Sequence, residues 1–123
     1  MTDLPPGFTP FAEFFPPDRI SHHWAGQGDA KGIYAKEIRI PAGFMLASHQ
    51  HSYDHLSILA SGRVRLATPA GVQYLVGPVA LTIAKGVTHK VLAITDAIWF
   101  CIHPTEETDV DKIDQAIIAR EHS

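Results

Sequence analysis

Short stretches in which every second residue is apolar fill the middle of this chain. Alternation with a period of two sends successive side chains to opposite faces, so it marks β-strands with one buried face. The pattern predicts strands over 33–40, 44–51, 55–61, 63–68, 72–76, 79–84, 89–94 and 98–103. The breaks between them carry turn residues, namely Pro41-Ala42-Gly43, Gly62, Pro69-Ala70-Gly71 and Thr95-Asp96. The strands flanking Pro69-Ala70-Gly71 read as a hairpin. Trp99 and Phe100 fall on opposite faces of the last strand, one toward a core and one away from it. Many short strands separated by turns imply an antiparallel sandwich or barrel.

The two ends have other patterns. Five of the nine prolines, Pro5, Pro6, Pro10, Pro16 and Pro17, fall in the first 17 residues and exclude regular helix there. Phe8, Phe11, Phe14 and Phe15 are interleaved with them, so this apolar arm is expected to lie on the domain or on a neighbouring subunit. Residues 20–32 read as loop, with Gly26, Gly28 and Gly32 as breakers. Over 109–121 the period changes. Val110, Ile113, Ala116 and Ile117 recur at helical spacing behind an acidic stretch that suits a helix N-terminus. The expected organisation of residues 1–123 is one domain: an arm and loop over 1–32, a barrel over 33–103 and a short C-terminal helix over 109–121.

Composition excludes more than it identifies. With 46% hydrophobic and 19% charged residues the chain is a folded protein rather than a disordered one. A net charge of −3 and the lack of a basic run give no reason to expect nucleic acid as a partner. No apolar run reaches the ~18 residues of a membrane span, and no secretory leader is evident at the N-terminus. Cys101 is the only cysteine, so no intrachain disulfide and no cysteine-rich zinc site can form. A cytoplasmic location is the expectation.

Histidine changes the picture. His49, His51 and His55 lie within seven residues, and His89 follows the Gly86 turn. Residues two apart on a strand share a face, so His49 and His51 can converge on one ion. His55 opens the next strand, and His89 opens a later one that can face it. All-nitrogen ligation suits a divalent Fe, Mn, Ni, Cu or Zn and leaves the choice among them open. Strand phase places Met45 and Ala47 on the face of His49 and His51, Ser57 and Leu59 on the face of His55, and Val91 on the face of His89. Tyr53 and Asp54 lie between two proposed ligands and can rim the site or orient a histidine. His22, His23 and Trp24 fall in the loop, His103 ends the last strand apart from the proposed site, and Cys101 reads as a small buried apolar residue.

Gly43, His49, His51, His55 and Gly62 match the spacing Gly-x5-His-x-His-x3-Glu-x6-Gly of the first cupin motif, with His55 in place of Glu. Gly77, Gly86 and His89 follow the second motif more loosely, with one extra residue, Ala84 in place of Pro and Ala93 in place of Asn. Over residues 33–103 the chain resembles the small single-domain cupins in a four-histidine variant. The resemblance implies a conical antiparallel β-barrel, the double-stranded β-helix or jelly roll, with a metal near one mouth. It also implies dioxygenase-like oxidoreductase chemistry on a small substrate, while a non-catalytic metal or ligand module and a sugar-type isomerase stay open. Replacing the carboxylate by a fourth neutral imidazole leaves a divalent ion at +2 rather than +1. That favours anionic oxygen ligands such as an enolate or vicinal oxygens. Barrel edges and the aromatic arm suggest a homodimer.

Overall fold

The computed structural model describes residues 9–10, 19–28, 32–47, 54–105 and 109. Ten strands follow one another: β1 (Thr9–Pro10), β2 (Ile20–Ala25), β3 (Ile33–Ile40), β4 (Phe44–Ala47), β5 (His55–Ser61), β6 (Arg63–Thr68), β7 (Gly71–Val76), β8 (Val79–Ile83), β9 (Lys90–Ala93) and β10 (Ala97–Pro104). They form two five-stranded sheets, in the orders β1-β4-β9-β6-β7 and β2-β3-β10-β5-β8. Each described pairing is antiparallel except the two-residue contact of β1 with β4. The chain passes back and forth between the sheets, which is the jelly-roll arrangement.

One core lies between the sheets. Ile38, Ile40, Leu59, Ala97 and Trp99 of one sheet pack against Leu46, Val64, Leu66, Val91 and Ala93 of the other. β10 is central, held by β3 on one side and β5 on the other. It buries Ala97, Trp99 and His103 and leaves Phe100 on the other face, as alternation requires.

Glycines set the corners. Gly62 alone links β5 to β6 at φ +94°, and a Cβ there would collide with the Asp96 carbonyl and lie 2.7 Å from Ala97 Cα. The corner is tied to the Thr95-Asp96 turn. Arg63 N–H donates to Thr95 Oγ1 at 2.9 Å, and Ile94 N–H donates to the Arg63 carbonyl at 2.9 Å. The β6–β7 hairpin turns over Pro69-Ala70, with Thr68 paired to Gly71 and the Ala70 N–H bonded to Thr68 Oγ1 at 3.2 Å.

The strands expected from alternation are present, with ends shifted by one residue at most, except that the strand expected over 44–51 is described only as Phe44–Ala47 and residues 48–51 lie outside the described residues. One expectation fails. Residues 20–25 are a strand, not loop, and β2 pairs with β3 from Ile20↔Ile38 to Ala25↔Ile33. Its period of two is real, with Ile20, His22 and Trp24 on one face, but two of those three side chains are amphipathic rather than aliphatic. The expected C-terminal helix and most of the N-terminal arm lie outside the described residues.

Candidate metal centre

His55 begins β5, and with Ser57 and Leu59 it points between the sheets. His89 precedes β9 and is in phase with Val91 and Ala93, which face the same space from the opposite sheet. Only 4% of His55 and 2% of His89 is exposed. Their ring centroids are 6.0 Å apart, with planes tilted by 40°. A metal–nitrogen bond of ~2.0–2.1 Å puts a ring centroid ~3.2 Å from the ion, so two rings on one ion have centroids at most ~6.4 Å apart. The pair meets that limit, and two buried neutral imidazoles suit a transition metal rather than Mg or Ca.

His49, His51 and Tyr53 lie outside the described residues, so the structure brings together two of the four expected ligands. Among the described residues no three His, Cys, Asp or Glu side chains are grouped so as to hold an ion. His103 is buried and stacks on His55, with centroids 5.3 Å apart and planes 22° from parallel. His103 packs against the ring of His55 from the neighbouring strand β10. Its strand-end position gave no hint of this contact.

The pocket residues divide. Ser57, Leu59 and Val91 are fully buried on the inner face. Met45 and Ala47 are not on that face. The register Leu46↔Val91 turns Leu46 inward, while Met45 lies opposite Leu92 on the outer face and Ala47 is exposed. The phase is set by the turn before β4, where Gly43 at φ +89° donates to the Ala93 carbonyl at 2.9 Å.

Asp54 is exposed, and its Oδ1 accepts the Lys85 N–H at 2.8 Å. That bond ties the start of β5 to the turn that leads into His89. Glu37 faces away from the histidines and pairs with exposed His23 at 2.9 Å. His22 Nδ1 hydrogen-bonds the buried Tyr34 hydroxyl at 2.7 Å.

Next to the histidine level, β3, β10 and β5 contribute a polar row: Lys36, Cys101 and Ser57 are direct cross-strand neighbours. Burial pushes the Cys101 thiol up from its ordinary value. The Trp99 indole, the positive charge of Lys36 and the Ser57 hydroxyl oppose that shift, although neither the indole nor the hydroxyl makes a hydrogen bond of ordinary geometry. Cys101 is partly buried and packs against the core, as the alternation with Phe100 led one to expect. Two cavities open nearby. One of about 380 Å³ lies beside His89, Arg65, Thr88 and Lys90. One of about 690 Å³ lies between the β6–β7 hairpin and β8, against Leu66, Leu81, Ile83 and Val87.

No family's sequence profile matches the chain, and no curated protein sequence does. Solved structures do. A cupin-2 domain protein from Shewanella frigidimarina superposes with a TM-score of 0.54 at 22% identity, over 77% of this chain and 88% of that one. KdgF from a Halomonas species gives 0.56 at 15% identity, over 72% and 79%. A variant of salicylate 1,2-dioxygenase from Pseudoaminobacter salicylatoxidans gives 0.56 at 12% identity, over 69% of this chain and 26% of that longer one. Among the described residues no helix is long and apolar enough to cross a membrane.

Proposed function

We propose that this chain, whose fold is that of the cupins, is a metal-binding cupin that carries out dioxygenase-like oxidative chemistry on a small organic substrate. The observation that carries the reading is the buried, inward-facing pair His55 and His89, 6.0 Å apart on opposed sheets. In this reading His49, His51, His55 and His89 hold one divalent Fe, Mn, Ni, Cu or Zn ion. When bound, the ion supplies Lewis acidity toward anionic oxygen and, where redox-active, electron transfer. Leu59, Val91 and Trp99 exclude water around the pair, which strengthens electrostatic interactions with a bound molecule. His103 holds the ring of His55 by stacking, and Asp54 fixes the spacing of the two histidine-bearing segments. The molecule is a homodimer in this reading, supported by the exposed apolar face of β7.

Metal analysis of protein purified without chelators or a histidine tag tests the site. About one equivalent of a transition metal is expected, with substoichiometric metal in His51→Ala and His89→Ala variants that keep the wild-type circular dichroism spectrum. Unchanged metal content in both variants sinks the reading. Zinc as the only metal found would remove its oxidative part and leave a binding module.

A further inference from the structure

The metal reading leaves open what fills the space beside the histidines. β7 ends one sheet and β8 ends the other, and no ladder joins them. They are linked only through Gly77-Pro78, so the two edges meet at that corner and part away from it. The cavity of about 690 Å³ lies in the wide part of this wedge.

Both sheets contribute to its walls. Leu66 and its direct cross-strand partner Gln73 line it from one sheet, and Leu81 and Ile83 from the other. Val87 closes it from the turn, two residues before His89. Ile83 is the direct partner of His55, and Leu81 of Ser57, so these four residues share the inner face. Directly opposed residues have Cβ atoms about 4.5–5.5 Å apart. The wedge therefore borders the histidine level, one strand from His55.

Its chemistry is uniform. None of the described residues that line it is charged, and the apolar ones predominate. A charged group entering such a space leaves water and meets no counter-charge, whereas an apolar body releases water from both surfaces. The volume falls in the range of about 300–1,000 Å³ that small-molecule pockets occupy, and a mostly apolar lining with a few neutral polar groups is their usual character.

The geometry points to this wedge as the place where the body of the substrate lies, and makes that body uncharged and apolar, with only an oxygen-bearing end reaching toward the histidines. The inference rests on the metal reading for the position of the reacting end. The wedge itself is built without any of the proposed ligands.

Two ketones of one shape test it. 4-tert-Butylacetophenone and the (4-acetylphenyl)trimethylammonium ion differ by a single charge at the end remote from the carbonyl, and a cation gains nothing from a bound metal. Equilibrium dialysis against the protein as purified is expected to give the neutral ketone a dissociation constant about tenfold lower, or better. Equal affinities overturn the inference. If neither ketone binds, the wedge belongs to protein, whether a second copy or this chain, and the inference is overturned too. Gln73→Glu places a carboxylate of the same size at an exposed position of the wall, and Val87→Glu places one on the turn. Each is expected to narrow the preference about tenfold by attracting the ammonium ion. A preference unchanged in both variants overturns the assignment to the wedge. His89→Ala separates the two readings. The preference should persist there, and its persistence with unchanged metal content would sink the metal reading while the wedge stands. Its loss in His89→Ala, with no change in either glutamate variant, would assign the binding to the metal centre and overturn the wedge.

Discussion

Asp54 and His55 are neighbours in sequence, and the first fixes the place of the second. The Asp54 carboxylate holds the Lys85 N–H, and four residues later comes His89. Loss of such an orienting bond typically costs about 10-fold or more in metal affinity. Asp54→Ala is therefore expected to weaken metal binding about 10-fold without changing the number of ions bound, as read by chelator competition, and Asp54→Asn, which keeps an acceptor oxygen, to restore most of it. Cys101 gives a pH dependence. Its folded thiol lies above the ordinary 9.0 because burial disfavours the thiolate. Below that value both states hold the proton and stability is unaffected. From about 9.0 upward the unfolded chain releases the proton first, so stability falls with rising pH until the folded thiol also titrates. Urea unfolding at pH 8 and pH 10 should show a larger loss in wild type than in Cys101→Ala. At this scale the sequence made His55, His89, Ser57 and Leu59 legible, because strand phase alone decides which way they face. It did not make His103 legible. That contact depends on β10 lying beside β5, a pairing between segments far apart in sequence.

Among the elements, β7 stands out as a sheet edge whose outer face is apolar. Val72, Tyr74 and Val76 point the same way and are 46%, 70% and 64% exposed. Edge strands of folded proteins are ordinarily blunted by charge or covered, and this one carries no charged residue. It is the surface expected to meet a second copy. Light scattering after size exclusion should give twice the chain mass for wild type and the chain mass for the Tyr74→Lys/Val76→Lys double variant. Equal masses for the two would remove β7 from the interface. The hairpin that creates this edge was readable from Pro69-Ala70-Gly71, whose chemistry is local. β2 was not readable, since the glycines after it looked like loop and its inward side chains, His22 and Trp24, carry polar atoms. The facing of Met45 and Ala47 relative to the core was not readable for a related reason. Alternation within β4 is clear, but which of its faces points inward is settled by the Gly43 turn and by register against β9.

At the scale of the whole molecule, the jelly roll follows from strands that each bury one face, and the two sheets meet over a core to which both contribute. The general architecture was legible because turns punctuate the strands so evenly. The sheet order was not, because hydrogen-bond partners far apart in sequence leave no local trace. That same order has a consequence in time. β10 is the last described strand and fills the slot between β3 and β5. Until residues 97–104 emerge from the ribosome, β3 and β5 both present open edges across a gap about two strand spacings wide, roughly 9.5 Å. Folding should accordingly be slow, on the order of milliseconds to seconds, and stopped-flow fluorescence of Trp99, itself carried on β10, would report the closing step. Submillisecond refolding would show that the slot is not rate-limiting. Before it closes, the β10 of a second molecule fits the vacancy as well as the chain's own, so crowded synthesis favours strand exchange between copies.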